Sequence, residues 1–134
     1  MTGGQTKIRI LVVEDEALIA MTIEDVIESM GCDMVGPAAD LDEALALAVE
    51  GAFDCAVLDV NIRGGSTYGI AELLRGRGCP FFMATGYSNW SMPAHLVGEK
   101  RLTKPYSSVA LEAELRLLCA QVHARSPGCR DLPS

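Results

Sequence analysis

Positive charge is what this chain has least of: 11 Lys and Arg stand against 18 Asp and Glu, a formal net charge of -7. That balance argues against a protein that grips nucleic acid through its phosphates, which needs a basic surface. Long apolar runs are missing too, although 49% of the 134 residues are hydrophobic, so no segment is suited to span a bilayer. The opening residues Met1-Thr-Gly-Gly-Gln-Thr6 have neither a basic region nor an apolar core of the secretory kind, and the expected location is the cytoplasm. The five cysteines (Cys32, Cys55, Cys79, Cys119 and Cys129) show no CxxC or CxxH spacing, which argues against a zinc site or a disulfide framework. Cys55, set in an apolar run, reads as a small core residue. No internal repeat or second domain is visible.

What is there is alternation. Short apolar runs are separated by longer segments of helical periodicity, the pattern of βαβ units around a parallel sheet. Strands are expected near 7–13, 33–37, 55–58, 80–84 and 100–103. The first helix, near 16–30, carries Ile19, Ile23, Val26, Ile27 and Met30 as one stripe, and Gly31 ends it. The second begins at Asp40 as N-cap with Glu43 completing a capping box, has Leu41, Ala44, Leu45 and Ala48 as its inner face, and ends at Gly51. A loop, Asn61–Thr67, leads to a third helix near 67–76. Pro93 limits any helix within 86–99 to a turn or two. Ser107 is a candidate N-cap for the last helix, with Leu111, Leu115, Leu118 and Val122 inward. Residues 1–6 read as a disordered start, 7–123 as the domain and 124–134 as a flexible tail.

Five strands alternating with five helices make a doubly wound α/β sheet. Right-handed crossovers put the carboxyl ends of all strands on one edge, where such folds keep their chemistry. The residues delivered there are Glu14-Asp15-Glu16 after the first strand, Asp59 after Phe53-Asp-Cys-Ala-Val-Leu58, Thr85 after Phe81-Phe-Met-Ala84, and Lys104 after Arg101-Leu-Thr103. Each alone has a plainer reading: an Asp that forms a turn, acids that complement a helix dipole, a Thr-Gly turn, a surface lysine. Together they suit one Mg²⁺-dependent phosphate site. Glu14, Asp15 and Asp59 are the oxygen ligands Mg²⁺ prefers, and three crowded carboxylates need a cation. Asp59 can act as a nucleophile toward phosphorus, with Lys104 and Thr85 offering a charge and a hydrogen bond to phosphoryl oxygens.

Four motifs, Val12-Val-Glu-Asp-Glu16, Leu58-Asp-Val-Asn61, Ala84-Thr-Gly86 and Thr103-Lys-Pro105, resemble those of CheY-like response regulator receiver domains, over about residues 7–122. The resemblance implies a (βα)5 flavodoxin-like sheet with strand order 2-1-3-4-5. It implies that Asp59 takes phosphoryl from a histidine kinase or histidine phosphotransfer protein. Mg²⁺ would be held by Glu14, Asp15, Asp59 and the backbone carbonyl of Asn61, Thr85 and Lys104 would contact the phosphoryl group, and the Lys104-Pro105 bond would be cis. Kinase contact is expected on the first helix and the loop after the fifth strand, and output on 86–106 with the last helix. The chain ends soon after that helix, so the expectation is a single-domain regulator or an excised receiver, signalling by protein contact or shuttling phosphate, and not an enzyme.

Two features depart from the family pattern. Arg101 occupies the place of the usual switch aromatic, three positions before the lysine. The run Pro80-Phe-Phe-Met-Ala-Thr-Gly-Tyr87 resembles a receiver subgroup with a Phe-x-Ala-Thr-Gly-Tyr motif, associated with HWE-type kinases and general stress signalling, and makes Tyr87 the candidate moving aromatic. Trp90 is expected to be partly exposed, while His95 and His123 have no catalytic company. Two rivals stay open: a degenerate receiver that only binds partners, and a Mg²⁺-dependent phosphatase working through an aspartyl phosphate. The phosphatase usually needs a second acid two residues beyond its nucleophile, where this chain has Asn61.

Overall fold

The strongest strand, β3 (Cys55–Asp59), is buried along its whole length. Continuous burial is what a strand covered on both faces requires. In the computed structural model, which describes residues 7–85 and 101–124, it lies at the centre of a five-stranded sheet. Its neighbours are β1 (Arg9–Val13) and β6 (Phe81–Thr85), with β2 (Asp33–Ala38) beyond β1 and β7 (Arg101–Thr103) beyond β6. All four pairings are parallel. Setting aside a two-residue hairpin, β4 (Asn61–Ile62) with β5 (Gly65–Ser66), the order is the 2-1-3-4-5 implied by the resemblance.

Alternation along each strand divides the core in two. Leu11, Val13, Ala56, Leu58, Phe81 and Met83 face one side, where α2 (Leu41–Glu50) and α3 (Tyr68–Gly76) cover them. Ile10, Val12, Cys55, Val57 and Phe82 face the other, under α1 (Ala17–Ser29) and α4 (Ser108–Ala124). Cys55 is a core residue as expected, and Cys32, Cys79 and Cys119 are buried with it. No helix among the described residues is long and apolar enough to cross a membrane.

The helix ends follow the sequence signals. Gly31 and Gly51 take left-handed conformations after α1 and α2. The Asp40 side chain accepts from Glu43 N–H at 2.8 Å, and Glu43 reaches back to Ala39 N–H at 3.1 Å. The Ser107 hydroxyl accepts from Ala110 N–H at 3.0 Å. Two expectations need correction. Leu45 is 39% exposed and does not belong to the inner face of α2; the inward stripe centres on Ala44 with Leu41, Leu47 and Ala48 beside it, and at roughly 100° per residue Leu45 stands more than a quarter-turn from that centre. The 61–67 segment is a paired hairpin rather than an open loop. Four of the five expected helices fall within the described residues; Trp90, Pro93 and His95 lie outside them.

The second strand was the least legible because Gly36-Pro37 interrupts it. Gly36 has φ +98°, the Gly36-Pro37 bond is cis, and the β1–β2 register shifts between Leu11 and Val13. A Cβ on Gly36 would sit 2.8 Å from Ala38 N and 2.9 Å from Val12 O. Gly36→Ala is therefore expected to lose about 2–3 kcal/mol of stability, through forbidden backbone and a clash that only main chain can relieve. Urea unfolding of the two proteins measures it, and equal midpoints would refute it.

Candidate functional site

Register builds the site. Val13 pairs with Leu58, so Glu14 and Asp59 leave adjacent strands at the same level. Asp59 pairs with Ala84 and Thr85 with Thr103, which sets Thr85 one residue and Lys104 two residues further along the same edge. Main-chain bonds hold these ends together: Glu14 N–H to Ala38 O (2.9 Å), Val60 N–H to Ala84 O (2.9 Å) and Lys104 N–H to Thr85 O (2.7 Å). All the residues expected at this edge within the described chain are there.

Glu14, Asp15 and Asp59 each offer a carboxylate oxygen within 4.8 Å of the others. Glu14 and Asp59 are buried and Asp15 is half-buried. The Lys104 ammonium lies between the acids, 3.0 Å from Asp59 Oδ2, 3.1 Å from Glu14 Oε1 and 3.4 Å from Glu16 Oε2. Burial pushes the Glu14 carboxyl up to about 7; Asp59's charge adds to this, and the hydrogen bonds from Glu16 N–H and Lys104 do not offset it. Lys104 is itself partly buried, yet its acidic partners raise its affinity for the proton above the ordinary lysine value. The result is a cation-seeking pocket: an all-oxygen donor set suited to Mg²⁺, with one protein cation already inside.

Asn61 is exposed, and its N–H reaches Asp59 Oδ1 at 3.3 Å. Thr85 is buried at the end of β6. Arg101 is exposed on the edge strand β7 and Tyr87 lies outside the described residues, so of the two switch candidates only Arg101 has a described position. His123 is exposed on α4, away from this edge. The Lys104-Pro105 bond is cis, as the resemblance implied.

Two residues contribute that sequence reasoning passed over, Thr67 and Tyr106, and a third, Glu16, takes a part it did not assign. Thr67 is completely buried, and its hydroxyl donates to the Asp59 carbonyl at 2.8 Å, tying the hairpin to the strand that carries the carboxylate. Its only signal was position, a hydroxyl at the start of α3. Glu16 had been grouped with the acids, but it supplies Lys104 with a third, exposed partner rather than joining the close trio. Tyr106 is partly buried beside the site, and with Pro105 and the α1 residues Leu18, Ile19 and Thr22 it lines a cavity of about 610 Å³ opening over Asp59.

Residues 10–116 match the family model described as the response regulator receiver domain. The chain belongs to that receiver family. One solved relative is SdrG from Sphingomonas melonis Fr1, 38% identical, covering 84% of this chain and 97% of its own, with a TM-score of 0.72. Another is the receiver domain of the sensor histidine kinase PA1611 from Pseudomonas aeruginosa PAO1, which has a magnesium ion coordinated in its active-site cleft. It is 22% identical over 86% of this receiver and 99% of its own chain, with a TM-score of 0.72, and so bears on the fold alone. Among curated proteins, the probable transcriptional regulator ycf27 of Porphyridium aerugineum is 32% identical over 124 residues, 90% of this chain and 51% of that protein. The receiver thus spans about half the length of that relative.

Proposed function

We propose that Asp59 is the phosphoacceptor of a two-component phosphorelay, charged from the phosphohistidine of a histidine kinase or phosphotransfer protein. The observation that carries this reading is the convergence of Glu14, Asp15, Asp59 and Lys104 at one sheet edge, with Asp59 open to the 610 Å³ cavity. Transfer is a displacement at phosphorus: a carboxylate oxygen of Asp59 forms the new P–O bond, the P–N bond breaks, and the imidazole leaves with its electron pair. Bound Mg²⁺, held by Glu14, Asp15, Asp59 and the Asn61 carbonyl, would neutralise charge developing on the phosphoryl oxygens. Lys104 follows one of those oxygens as a mobile point charge, and the Thr85 hydroxyl donates to another. Water later attacks the acyl phosphate, returning Asp59 and inorganic phosphate, so the chain carries a signal rather than turning over a substrate.

The donor helix docks over the cavity. Leu18 and Met21 on α1 are 79% and 58% exposed, an apolar offering beside the acids that a partner's helix can cover. The chain's charge of -7 favours protein over nucleic-acid partners, and we place the domain in the cytoplasm. The Phe81–Tyr87 motif supports assignment to the subgroup that works with HWE-type kinases in general stress signalling. Its output would run through residues 86–106 and α4, with Tyr87 moving where Arg101 cannot.

The test is chemical. Incubated with Mg²⁺ and acetyl phosphate, the wild-type chain gains the mass of one phosphoryl group, and Asp59→Asn gains none. Absence of the gain in wild type, or its persistence in Asp59→Asn, rejects the reading. Continuous turnover of a small phosphate ester would point to the phosphatase alternative.

A further inference from the structure

Two cysteine sulfurs meet where the first and last helices close over the sheet. Cys32 Sγ and Cys119 Sγ lie 3.9 Å apart, although 87 residues separate them in sequence. Cys32 follows the Gly31 turn that ends α1, and Cys119 sits near the end of α4. Neither is as sealed as its neighbours: they are 8% and 9% exposed, while Ile10, Ile27 and Leu115 are at 0%. The pair therefore marks the rim of this core layer. The other described cysteines are placed differently: Cys79 Sγ donates to Asp54 O at 3.6 Å, and Cys55 lies within β3.

At this separation the thiols make a weak S–H···S contact and no bond. A disulfide needs about 2.05 Å between its sulfurs, so each must approach by roughly 1 Å. The turn that carries Cys32 can supply that movement. A side chain added at Gly31 would meet no atom within 4 Å, so the backbone beside Cys32 has open space around it. Burial pushes the Cys119 thiol up to about 12, with Cys32 beside it adding to the shift, which leaves the first attack on an oxidant to Cys32. In the cytoplasm, where we place the domain, thiols are kept reduced, and a disulfide is usually transient and redox-sensing rather than structural.

We propose that Cys32 and Cys119 are a redox-modification site, joined reversibly into a disulfide by hydroperoxides. The Cys32 sulfur attacks the outer peroxide oxygen, the O–O bond breaks, and the thiol proton leaves with the departing alkoxide as an alcohol. The Cys119 sulfur attacks the resulting sulfenic acid, the S–S bond forms, and hydroxide leaves with the Cys119 proton as water. Together the two sulfurs give up the two electrons that reduce the peroxide. Exchange with a small thiol restores the pair. The bond fixes α4, the helix to which we assign output, against the turn after α1. It requires no phosphoryl group on Asp59 and stands apart from that reading.

Cys129→Ser removes the cysteine that lies outside the described residues and leaves the native pair. Reduced, exposed to millimolar hydrogen peroxide and then alkylated, this protein is expected to have lost two hydrogen atoms of mass. Digestion should yield one peptide pair joined through Cys32 and Cys119, released again by dithiothreitol. The oxidised monomer is expected to melt about 5 °C or more above the reduced form, because the bond constrains the unfolded chain. Peroxide that leaves both thiols free, adds oxygen atoms to them or links other cysteines overturns the proposal. So does a linked form that melts no higher than the reduced protein, since the bond would then belong to opened molecules. Every readout is on a chain that keeps Cys32 and Cys119, so none depends on whether a variant at either position folds.

Discussion

Lys104→Met, measured without metal at pH 8, is expected to unfold with about 3 kcal/mol less free energy than wild type. The lysine side chain is 13% exposed and lies 3.0 Å from Asp59 and 3.1 Å from Glu14, whose side chains are 9% and 1% exposed. Methionine fills similar space but leaves two buried carboxylates facing each other without a cation. Removing one member of a buried ion pair typically costs about 3–5 kcal/mol. The lower end applies here because Glu14 already binds its proton more tightly than usual and can neutralise itself. Magnesium should narrow the gap. Without the ammonium the three acids attract a divalent ion more strongly, so millimolar Mg²⁺ stabilises Lys104→Met more than wild type, through binding to the folded state alone. Denaturant curves with and without Mg²⁺ decide it. A variant as stable as wild type in the absence of metal would mean that the acids do not depend on Lys104.

The second large effect is on pH. Glu14 releases its proton near 4.5 in the unfolded chain but at about 7 in the folded protein, chiefly because burial disfavours the charge. Between those values the folded state binds more protons than the unfolded one, so stability falls as pH rises. The contribution is fully present below about pH 4.5, is lost on passing through about 7, and at roughly 1.4 kcal/mol per pH unit amounts to about 3 kcal/mol. Lys104 stays charged across this window, its proton held more tightly than in a free lysine, and adds no slope there. Metal-free wild type should thus lose stability from pH 5 to 7.5 relative to Glu14→Gln, in which that component is absent. Mg²⁺ needs the ionised carboxylate, so its stabilising effect should grow over the same interval. Parallel pH profiles for the two proteins would exclude Glu14 as the titrating group.

Much of this arrangement is legible in the sequence, for identifiable reasons. The runs ending at Val13, Leu58 and Ala84 are apolar because their strands are covered on both faces, and a residue just past such a run must emerge at the sheet's edge. Asp40 with Glu43, and Ser107, announce helix starts through bonds made within a few residues. Leu45 was misread because a stripe of alternating Leu and Ala in α2 is ambiguous about which face turns inward. The hairpin at 61–66 was missed because two-residue strands have no periodicity to detect. Thr67 and the Tyr106 hydroxyl, and the part Glu16 plays, escaped for another reason: what matters about them is a partner distant in sequence or, for the buried Tyr106 hydroxyl, the want of one among the described residues. Thr67 bonds to Asp59 eight residues back, and Glu16 to Lys104 across 88.

The pairing of Val13 with Leu58, Asp59 with Ala84 and Thr85 with Thr103 has a consequence for quality control in the cell. No short segment of this chain contains Asp59 together with Glu14, Asp15 and Lys104, since they come from strand ends separated by up to 90 positions. A slip of one residue along a parallel strand would turn its end groups toward the opposite helical layer. On the proposed phosphoacceptor role, chains that have not finished folding could not be charged, and an aspartyl phosphate would certify that the molecule carrying it is intact.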